Sequence, residues 1–253
     1  MKSKIFITGS SGFIGFHAAK KFLSKGIKVH GFDSMNSYYD VKLKKVRLGI
    51  LKKYKNFSFT QGNLENEKKL SKCILRFKPN IIIHLAAQAG VRHSIKNPGI
   101  YLNSNILGTF NILKLANIIK VKHLIIGSSS SVYGANKKSP FQEIDKTDHQ
   151  VSFYAATKKS TESLAHSYSS LWKLPTTMLR FFTVYGPYGR PDMAYFSFTK
   201  KILAGKTIKI FNKGKMYRDY TYIDDIIDGI YRLINKSPSL NSKKRFKNDS
   251  LSP

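Results

Sequence analysis

The chain has 253 residues, of which 42% are hydrophobic and 13% aromatic, so it is long and apolar enough for one large domain or one domain with a smaller lobe. It carries 44 Lys and Arg against 14 Asp and Glu, a formal charge of +30, which raises nucleic acid or an acidic membrane surface as a partner. The cations are scattered in pairs, with no basic arm and no zinc-finger spacing, so we expect a lysine-rich surface and no specific nucleic-acid site.

The cysteine content and the hydropathy of the chain indicate its cellular compartment and whether it crosses a membrane. The single cysteine, Cys73, excludes an internal disulfide, and residues 1–8 lead into an apolar run without the hydrophobic region of a signal peptide. No apolar run approaches the roughly 20 residues needed to cross a bilayer. We therefore expect a cytoplasmic protein without a membrane segment.

The first predicted elements are a strand, a glycine turn and a helix. Residues 4–8 are a short apolar run that breaks at GSSGFIG (residues 9–15), and a helical pattern then continues to Lys25 and stops at Gly26. Glycines in such a turn let the backbone approach a pyrophosphate, whose charge the amides and dipole of the helix N-terminus stabilise. The spacing is GxxGxxG rather than GxGxxG, so it matches the general dinucleotide fingerprint only loosely.

A second predicted strand, residues 28–32, ends at Asp33. An acidic residue at about this distance from the glycine turn binds the ribose hydroxyls of the adenosine half of a dinucleotide. A carboxylate there repels a 2′-phosphate, and no arginine directly follows it. The residues thus favour NAD over NADP as the cofactor.

Strands and helices continue to alternate. Strands are predicted at 57–60, 80–84 and 123–126, and helices around 65–77 and 99–120. This alternation predicts a doubly wound, Rossmann-like α/β fold with a parallel sheet, whose site lies beyond the carboxyl ends of the strands. The candidates that directly follow the apolar runs are Gly9, Asp33, Asn63, residues 86–88 and residues 128–131.

The stretch SFYAATKKS (residues 152–160) places Tyr154 and Lys158 four residues apart in a predicted helix. Residues at that spacing share one helical face. An ammonium near a phenol lowers the pKa of the phenol, and a tyrosine that acts as a base near neutral pH needs that shift. The YxxxK pattern is short, however, and an ordinary surface helix is its alternative explanation.

With the glycine turn, the serine run 128–131 and YxxxK in the same order, the chain resembles the extended short-chain dehydrogenase/reductase family of nucleotide-sugar enzymes. From residue 2 to about residue 235, five segments are similar to bacterial UDP-glucuronate 4-epimerases: GFDSMNSYYDVKLKKVRL, HLAAQAGVRHS, SSSSVYG, LRFFTVYGPYGRPDMA and KGKMYRDYTYIDDI. The resemblance implies an NAD site lined by Gly9, Gly12, Phe13, Ile14, Gly15, Asp33, Asn63, Leu64, Ala86, Ala87, Gln88, Asn105, Tyr154 and Lys158. The family usually has aspartate at position 63, and Asn63 keeps a carbonyl acceptor for the adenine amino group.

The resemblance also implies the chemistry. Tyr154 takes the proton of the sugar 4-hydroxyl while C4 gives a hydride to NAD, and Lys158 lowers the pKa of Tyr154 and holds the nicotinamide ribose. The 4-keto sugar then rotates and takes the hydride back on its other face. Ser129 is the hydroxyl that shares the proton, with Ser130 and Ser131 beside it. Since this loop lacks the Asp-Glu pair of related dehydratases and the glutamate of related decarboxylases, it favours simple epimerisation.

The substrate is predicted from GPYGRPDM (residues 186–193). A guanidinium holds a carboxylate with two parallel hydrogen bonds, so Arg190 is the candidate clamp for a C6 carboxylate, with Thr183 as a neighbouring donor. A surface arginine in a turn rich in Gly and Pro is the alternative. Arg92 is a weaker second anion candidate, and the resemblance assigns Arg218 to the nucleotide diphosphate. These residues predict conversion of UDP-glucuronate to UDP-galacturonate, for surface polysaccharide precursors.

We expect residues 1–180 to form the NAD-binding domain and residues 181–253 a partial substrate lobe with a polar tail. Family members usually continue for several tens of residues beyond YTYIDDI, which suggests a truncated chain. The truncation leaves open a catalytically incompetent NAD-binding remnant or partner subunit. Within the enzyme class the alternative is an epimerase for another UDP-hexose, and a basic nucleic-acid-binding protein is a third and weaker hypothesis. We expect a homodimer that pairs the helices near 100–120 and 154–171.

Histidines and large aromatic residues are expected to be structural. His123 and His149 have no Cys, Asp or Glu at ligand spacing, so we predict no metal site. His84 ends an apolar strand and is expected to be a packed core residue. Trp172 is likewise expected in the core.

Overall fold

The structure, a computed structural model, describes residues 3–210 and 212–239. Within these residues, six strands form one parallel sheet in the order β3-β2-β1-β4-β5-β6. They are β1 (Lys4–Thr8), β2 (Lys28–Asp33), β3 (Phe57–Gln61), β4 (Ile81–His84), β5 (His123–Gly127) and β6 (Thr176–Leu179). A separate two-stranded parallel sheet pairs β7 (Thr183–Tyr185) with β8 (Tyr220–Tyr222).

Helices connect the strands and cover both faces of the larger sheet. In chain order they are α1 (Phe13–Ser24), α2 (Val41–Lys52), α3 (Glu67–Phe77), α4 (Val91–Lys96), α5 (Pro98–Tyr101), α6 (Gly108–Ile118), α7 (Phe153–Trp172), α8 (Ala194–Leu203) and α9 (Ile223–Leu233). No helix in the described part of the chain is long and apolar enough to cross a membrane. The predicted doubly wound, Rossmann-like sheet is confirmed, and its strand order puts the switch point between β1 and β4.

The sheet lies between two apolar cores, which explains why its central strands are continuously apolar in sequence. In β1, Ile5 and Ile7 face a core shared with α1, α2 and α9. Phe6, between them, faces a second core shared with α3, α6 and α7. Alternate side chains of one strand therefore hold the two helical layers against the sheet.

Helix α9 lies beyond residue 180, the predicted boundary between the two domains, and yet it packs on the first of them. Its residues Ile223, Ile227 and Ile230 are buried in the first core, so this part of residues 181–253 packs on the NAD-binding half. Lys21 of α1 also forms an ion pair with Asp228 at 2.7 Å. The boundary at 180 stays a prediction, and the predicted polar tail lies mostly outside the described residues.

The helix expected over residues 99–120 is interrupted. Between α5 and α6 the backbone forms a π-helical segment, Leu102–Leu107. Segments of this kind often occur at functional sites, where an extra residue redirects a side chain. Here the segment contains Asn105, whose buried amide binds the backbone of Gln88. The predicted helical stretch around 99–120 is thus confirmed, but hydrophobic periodicity did not reveal its π-helical insertion.

His84, at the end of β4, is a buried core residue as predicted. Its side chain is 3% exposed, and its ring nitrogens pair with the hydroxyls of Thr8 at 2.7 Å and Thr109 at 3.0 Å. Burial lowers the pKa of His84 to about 3, and the positive charge of Lys158 acts in the same direction. The folded protein therefore keeps this imidazole neutral where the unfolded chain protonates it.

We expect this histidine to make the fold sensitive to acid. Between pH 6.5 and about 3 the unfolded chain binds a proton at His84 that the folded protein does not. The free energy of unfolding should then fall by up to about 1.4 kcal/mol for each pH unit in that window. Urea unfolding of wild type and His84→Asn at pH 7.5 and pH 5 measures the effect. The variant should lose less stability than wild type, whereas the exposed His166→Asn should lose as much; equal losses in all three proteins would contradict the prediction.

Candidate active site

The glycine turn after β1 forms a tight cradle. Gly9 has φ +72°, and a Cβ on it would lie 2.7 Å from the backbone nitrogen of Ala86. A Cβ on Gly15 would meet the carbonyl of Gly9, and one on Gly12 would lie 3.0 Å from the same oxygen. Side chains at these three positions would therefore close the turn, as expected where a backbone must approach a ligand.

The N-terminus of α1 opens on this turn. Its N-cap is Gly12, no side chain caps the helix and its first turn has no acidic residue, so the helix dipole and the amides near Phe13 and Ile14 face the turn. The buried hydroxyls of Ser10 and Ser11 also have no hydrogen-bond partner. A helix N-terminus with these features fits the pyrophosphate of a dinucleotide.

Asp33 lies at the carboxyl end of β2, 7% exposed. One carboxylate oxygen accepts a hydrogen bond from the backbone of Ser11 at 2.9 Å, and the other accepts one from Met35 at 2.8 Å. These bonds fix the carboxylate beside the glycine turn. Beyond β2 and β3, Asn63 lines an open pocket of about 380 Å³ with Ser34, Gln61, Gly62, Asn66 and Lys69.

The loop after β4 completes this edge of the sheet. The backbone of Ala86 donates to the Thr8 hydroxyl at 3.1 Å, and that of Gln88 donates to the Asn105 side chain at 2.7 Å, with Ala87 between them. Asn105 also donates to Gln88 at 3.1 Å and to the Thr157 hydroxyl at 3.0 Å. Its side chain thus holds the loop, while Leu64 is buried in the second core and its carbonyl accepts from Asn111.

Helix α7 presents Tyr154 and Lys158 to the carboxyl end of β5. Ser152 caps the helix by accepting from the backbone of Ala155 at 3.1 Å, so Tyr154 lies in the first turn. Burial raises the pKa of Tyr154, and a hydrogen bond with Ser129 and the positive charge of Arg190 oppose that rise. The structure thus brings Ser129, Tyr154 and Arg190 together from three separate segments.

Lys158 acts differently from the sequence prediction. Its Nζ donates to the carbonyl of Gly127 at 2.7 Å, and burial lowers its pKa to about 8. The pKa of Tyr154 is raised rather than lowered, because burial of the phenol has a larger effect than its charged and hydrogen-bonding neighbours. The structure therefore does not show the expected reduction of the tyrosine pKa by Lys158.

A further carboxylate, that of Glu162, forms hydrogen bonds next to the candidate catalytic residues. Glu162 accepts a hydrogen bond from Ser128 at 2.6 Å and two from Arg180 at 2.9 and 3.0 Å. It lies one turn beyond Lys158 on α7, so Tyr154, Lys158 and Glu162 form one helical stripe. The sequence analysis missed Glu162, although its spacing from the YxxxK pair was a usable signal.

Arg190 is engaged in the structure with a carboxylate of the protein. Its Nε donates to Asp192 at 3.0 Å, and its Nη2 binds the second oxygen of the same carboxylate. The hydroxyl of Tyr38 donates to Asp192 at 3.3 Å. Arg190 thus holds the carboxylate of Asp192 at two points, while its binding of a sugar carboxylate stays a prediction. Asp192 was missed, although it lies only two residues away in the same motif.

The other residues that are predicted to bind the substrate lie on several separate segments of the chain. Thr183 begins β7, where its backbone donates to the carbonyl of Asp219 at 3.2 Å. Ser130 and Ser131 form the start of a 3₁₀ turn that Ser129 caps. Arg92 on α4 and Arg218 before β8 are both exposed, and their assignments stay predictions. In the described residues, no group of three or more His, Cys, Asp or Glu is placed to hold a metal ion.

Comparisons with known proteins give the family of this chain. A family model described as the NAD dependent epimerase/dehydratase family matches residues 5–247. The chain is 53% identical to the protein CapI of Staphylococcus aureus over 240 residues, which cover 95% of this chain and 72% of that protein. It is 51% identical to a probable UDP-glucuronate 4-epimerase of Rhizobium meliloti over 236 residues, which cover 93% of this chain and 69% of that protein.

A solved structure agrees in fold and sequence. UDP-glucuronic acid 4-epimerase from Bacillus cereus, crystallised with UDP-glucuronic acid and NAD, matches with a TM-score of 0.86 and 36% identity, over 91% of this chain and 73% of that chain. The family resemblance read from the sequence motifs is thereby confirmed. Together with the glycine cradle and the paired Tyr154 and Lys158, these matches show that the chain belongs to the NAD dependent epimerase/dehydratase family.

Proposed function

We propose that this protein is a UDP-glucuronate 4-epimerase, which converts UDP-glucuronate to UDP-galacturonate with bound NAD. The observation that carries the proposal is the position of Arg190, whose charge acts on Tyr154 while its guanidinium holds a carboxylate in two-point contact. A candidate base and a carboxylate receptor thus face one site. The relatives named above include proteins described as UDP-glucuronate 4-epimerases.

The residues of the first half fit NAD. We assign the pyrophosphate to the N-terminus of α1 and its glycine turn, the adenosine ribose to Asp33, and the adenine to the pocket that Asn63 lines. Asp33 is held in place by Ser11 and Met35, so it favours ribose hydroxyls over a 2′-phosphate. Bound by these residues, NAD would supply reversible hydride transfer at C4, the chemistry that allows that carbon to become planar and invert.

The protein supplies the proton chemistry. Tyr154 is assigned to accept the proton of the sugar 4-hydroxyl and to return it after inversion, and Ser129 shares that proton through its hydrogen bond. With a pKa of about 8, Lys158 is mainly protonated at pH 7, so it supplies a positive charge at the end of β5. We assign it the nicotinamide ribose.

We assign the sugar carboxylate to Arg190, where it would share or replace the contact with Asp192. Thr183, Ser130 and Ser131 are also assigned to the sugar. Arg218 is assigned to the diphosphate, and Arg92 is a weaker second anion contact. We place these contacts in a substrate lobe that begins after residue 180.

We also propose a homodimer through α6 and α7. Phe110 of α6 contacts Tyr168 of α7 at 6.5 Å between ring centroids, and Tyr168 contacts Trp172 at 4.5 Å. Trp172 is 49% exposed, so its expected place in the core was wrong: it ends α7 and faces outward beside Tyr168. An exposed aromatic cluster across two long helices is a suitable surface for a second copy.

The free thiol of Cys73 agrees with a reducing cytoplasm, where we place the protein.

Incubation with UDP-glucuronate tests the function. The purified chain is assayed with and without added NAD, and the UDP-sugars are separated by chromatography, with UDP-glucose and UDP-N-acetylglucosamine as parallel substrates. We expect UDP-galacturonate from UDP-glucuronate and far slower conversion of the neutral sugars. Preferential conversion of a neutral sugar would reject the assignment of the carboxylate, and retained NAD without any product would favour a catalytically incompetent NAD-binding protein.

Gly15 tests the cofactor cradle. In the first turn of α1, Gly15→Ala should raise helix propensity by about 0.8–1 kcal/mol. We nevertheless expect it to destabilise the protein and to lower NAD retention by at least about tenfold, because the new Cβ would meet the Gly9 carbonyl. The control is Gly49→Ala on α2, where a Cβ meets nothing within 4 Å. Bound NAD is quantified after gel filtration; unchanged retention in Gly15→Ala would contradict this site.

A further inference from the structure

Arg47 on α2 is a buried cation to which the proposed chemistry gives no role. Its side chain is 0% exposed and is among the largest fully buried side chains of the protein. Its hydrogen-bond partners are oxygens of uncharged groups: the carbonyls of Ser11, Tyr188 and Gly189 and the hydroxyl of Tyr39. Burying a guanidinium without a carboxylate is costly, so a specific arrangement of acceptors must offset the lost hydration.

These acceptors join two parts of the site. Nη1 of Arg47 donates to the Ser11 carbonyl at 3.0 Å, within the glycine turn that receives the cofactor. Nη2 donates to the carbonyls of Tyr188 and Gly189, the two residues that directly precede Arg190. One planar guanidinium therefore fastens the segment before Arg190 to the cofactor turn. A lysine ammonium lacks the fork that spans both segments.

The segment 186–190 depends on such contacts. Tyr188 has φ +56°, a left-handed conformation that costs a non-glycine residue on the order of 1 kcal/mol or more. The carbonyl of Pro187 pairs with Nε2 of His17 at 2.9 Å, and the Tyr188 ring packs on Phe16 at 5.3 Å. Side chains of α1 and α2 thus bind the three consecutive carbonyls of residues 187–189. Together these contacts stabilise a turn that is otherwise unfavourable.

We propose that Arg47 is a positioning residue for carboxylate recognition: it holds residues 188–189 against the glycine turn and so fixes the Arg190 guanidinium where the sugar carboxylate binds. The inference rests on the proposed function, because it gives Arg190 the same role. Without Arg47 the carbonyls of residues 188 and 189, which lie next to Arg190, lose their partner, and Arg190 must be ordered when the substrate binds. The resulting loss of binding affinity affects the ligands that carry the carboxylate.

The test measures affinity rather than turnover. Dissociation constants of UDP-glucuronate and UDP-glucose are determined by calorimetry on NAD-loaded protein that also carries Tyr154→Phe, which prevents conversion. Arg47→Lys, which keeps the charge, should weaken UDP-glucuronate by at least about tenfold relative to UDP-glucose. The control is Lys44→Met: Lys44 is another buried cation of α2, but its Nζ binds the carbonyl and side chain of Asn36, at 2.8 and 2.7 Å, and lies 4.6 Å from the centre of the Tyr39 ring, with no hydrogen bond to residues 188–189. This control should leave the affinity ratio unchanged.

A double-mutant cycle separates positioning from general stability. In the Arg190→Ala background, Arg47→Lys should change the affinity ratio no further, because the group that it positions is gone. Equal weakening of both ligands, or an undiminished effect in that background, would overturn the proposal and leave Arg47 a structural residue. If Arg47→Lys does not fold, Arg47→Gln, which keeps a donor without the charge, is put through the same cycle. A parent protein with no preference for UDP-glucuronate would instead reject the proposed function.

Discussion

Replacing Tyr154 with phenylalanine is expected to lower kcat for UDP-glucuronate epimerisation by about 10²–10⁴-fold, the usual contribution of a positioned acid or base. The aromatic ring and its edge contact with Tyr101, at 6.2 Å between centroids, are kept, so the fold and the affinity for UDP-glucuronate should change little. The proton of the sugar 4-hydroxyl would then have no phenolate to receive it. Initial rates at saturating substrate, with calorimetric affinities on the same protein, separate the two effects.

The control removes a different hydroxyl from the same neighbourhood. Tyr101 donates to the backbone carbonyls of Ala89 at 2.8 Å and Gly90 at 2.7 Å and has no proposed chemical role. Tyr101→Phe should therefore reduce stability, while kcat stays within about tenfold of wild type, since a lost neutral hydrogen bond costs only about 1 kcal/mol. A Tyr154→Phe variant that retains most of its kcat would show that another group takes the proton.

Arg190→Ala should have the second large effect, a fall in kcat/KM for UDP-glucuronate of at least about 10²-fold, since removal of one partner of a close charge pair costs about 2–5 kcal/mol. Most of the loss should appear in KM, because the carboxylate is held throughout the reaction. The rate with UDP-glucose should fall far less, because it is affected only through the change in the pKa of Tyr154. The matched control, Arg232→Ala, removes an exposed positive charge from α9 and tests whether the overall charge of +30 explains the effect.

The same substitution should move the pH dependence in a defined direction. The positive charge of Arg190 favours the phenolate and lowers the pKa of Tyr154, against the effect of burial. Its removal therefore raises that pKa, and the acid limb of the kcat/KM profile should shift to higher pH. A profile that is unchanged or shifted to lower pH, or an equal loss with UDP-glucose and UDP-glucuronate, would contradict the carboxylate assignment.

The central strands and the cofactor turn could be predicted because their sequences follow simple rules. Five strands of the larger sheet were placed within one residue of their observed ends. The four central strands are mostly buried and appear in the sequence as short apolar runs, whereas the edge strand β3, FSFTQ, alternates apolar and polar residues. The edge strand β6, TTML, is only partly buried and was missed. The glycine turn and Asp33 were found because their spacing follows from the ligand that they fit.

Helix α2 was not placed for a reason connected with the site. Its buried face includes Lys44 and Arg47 beside Leu48 and Leu51, so the hydrophobic periodicity that marks an amphipathic helix is interrupted by charges. The contacts that order segment 186–190 join residues more than 140 positions apart, as from Arg47 to Tyr188 and Gly189. A contact between residues so far apart in the chain cannot be read from the local hydrophobic pattern of the sequence. Sequence motifs therefore identified the reacting groups, while the groups that hold them in place required the fold.

The most direct test of the account uses UDP-glucuronate that carries deuterium at C4. The wild-type chain is loaded with NAD and incubated with this substrate in ordinary water, and the products are separated and analysed by mass spectrometry and NMR. The account predicts UDP-galacturonate that keeps its deuterium at C4, because the hydride leaves and returns within one active site. Loss of the label to solvent, or retained NAD with no UDP-galacturonate, would contradict it.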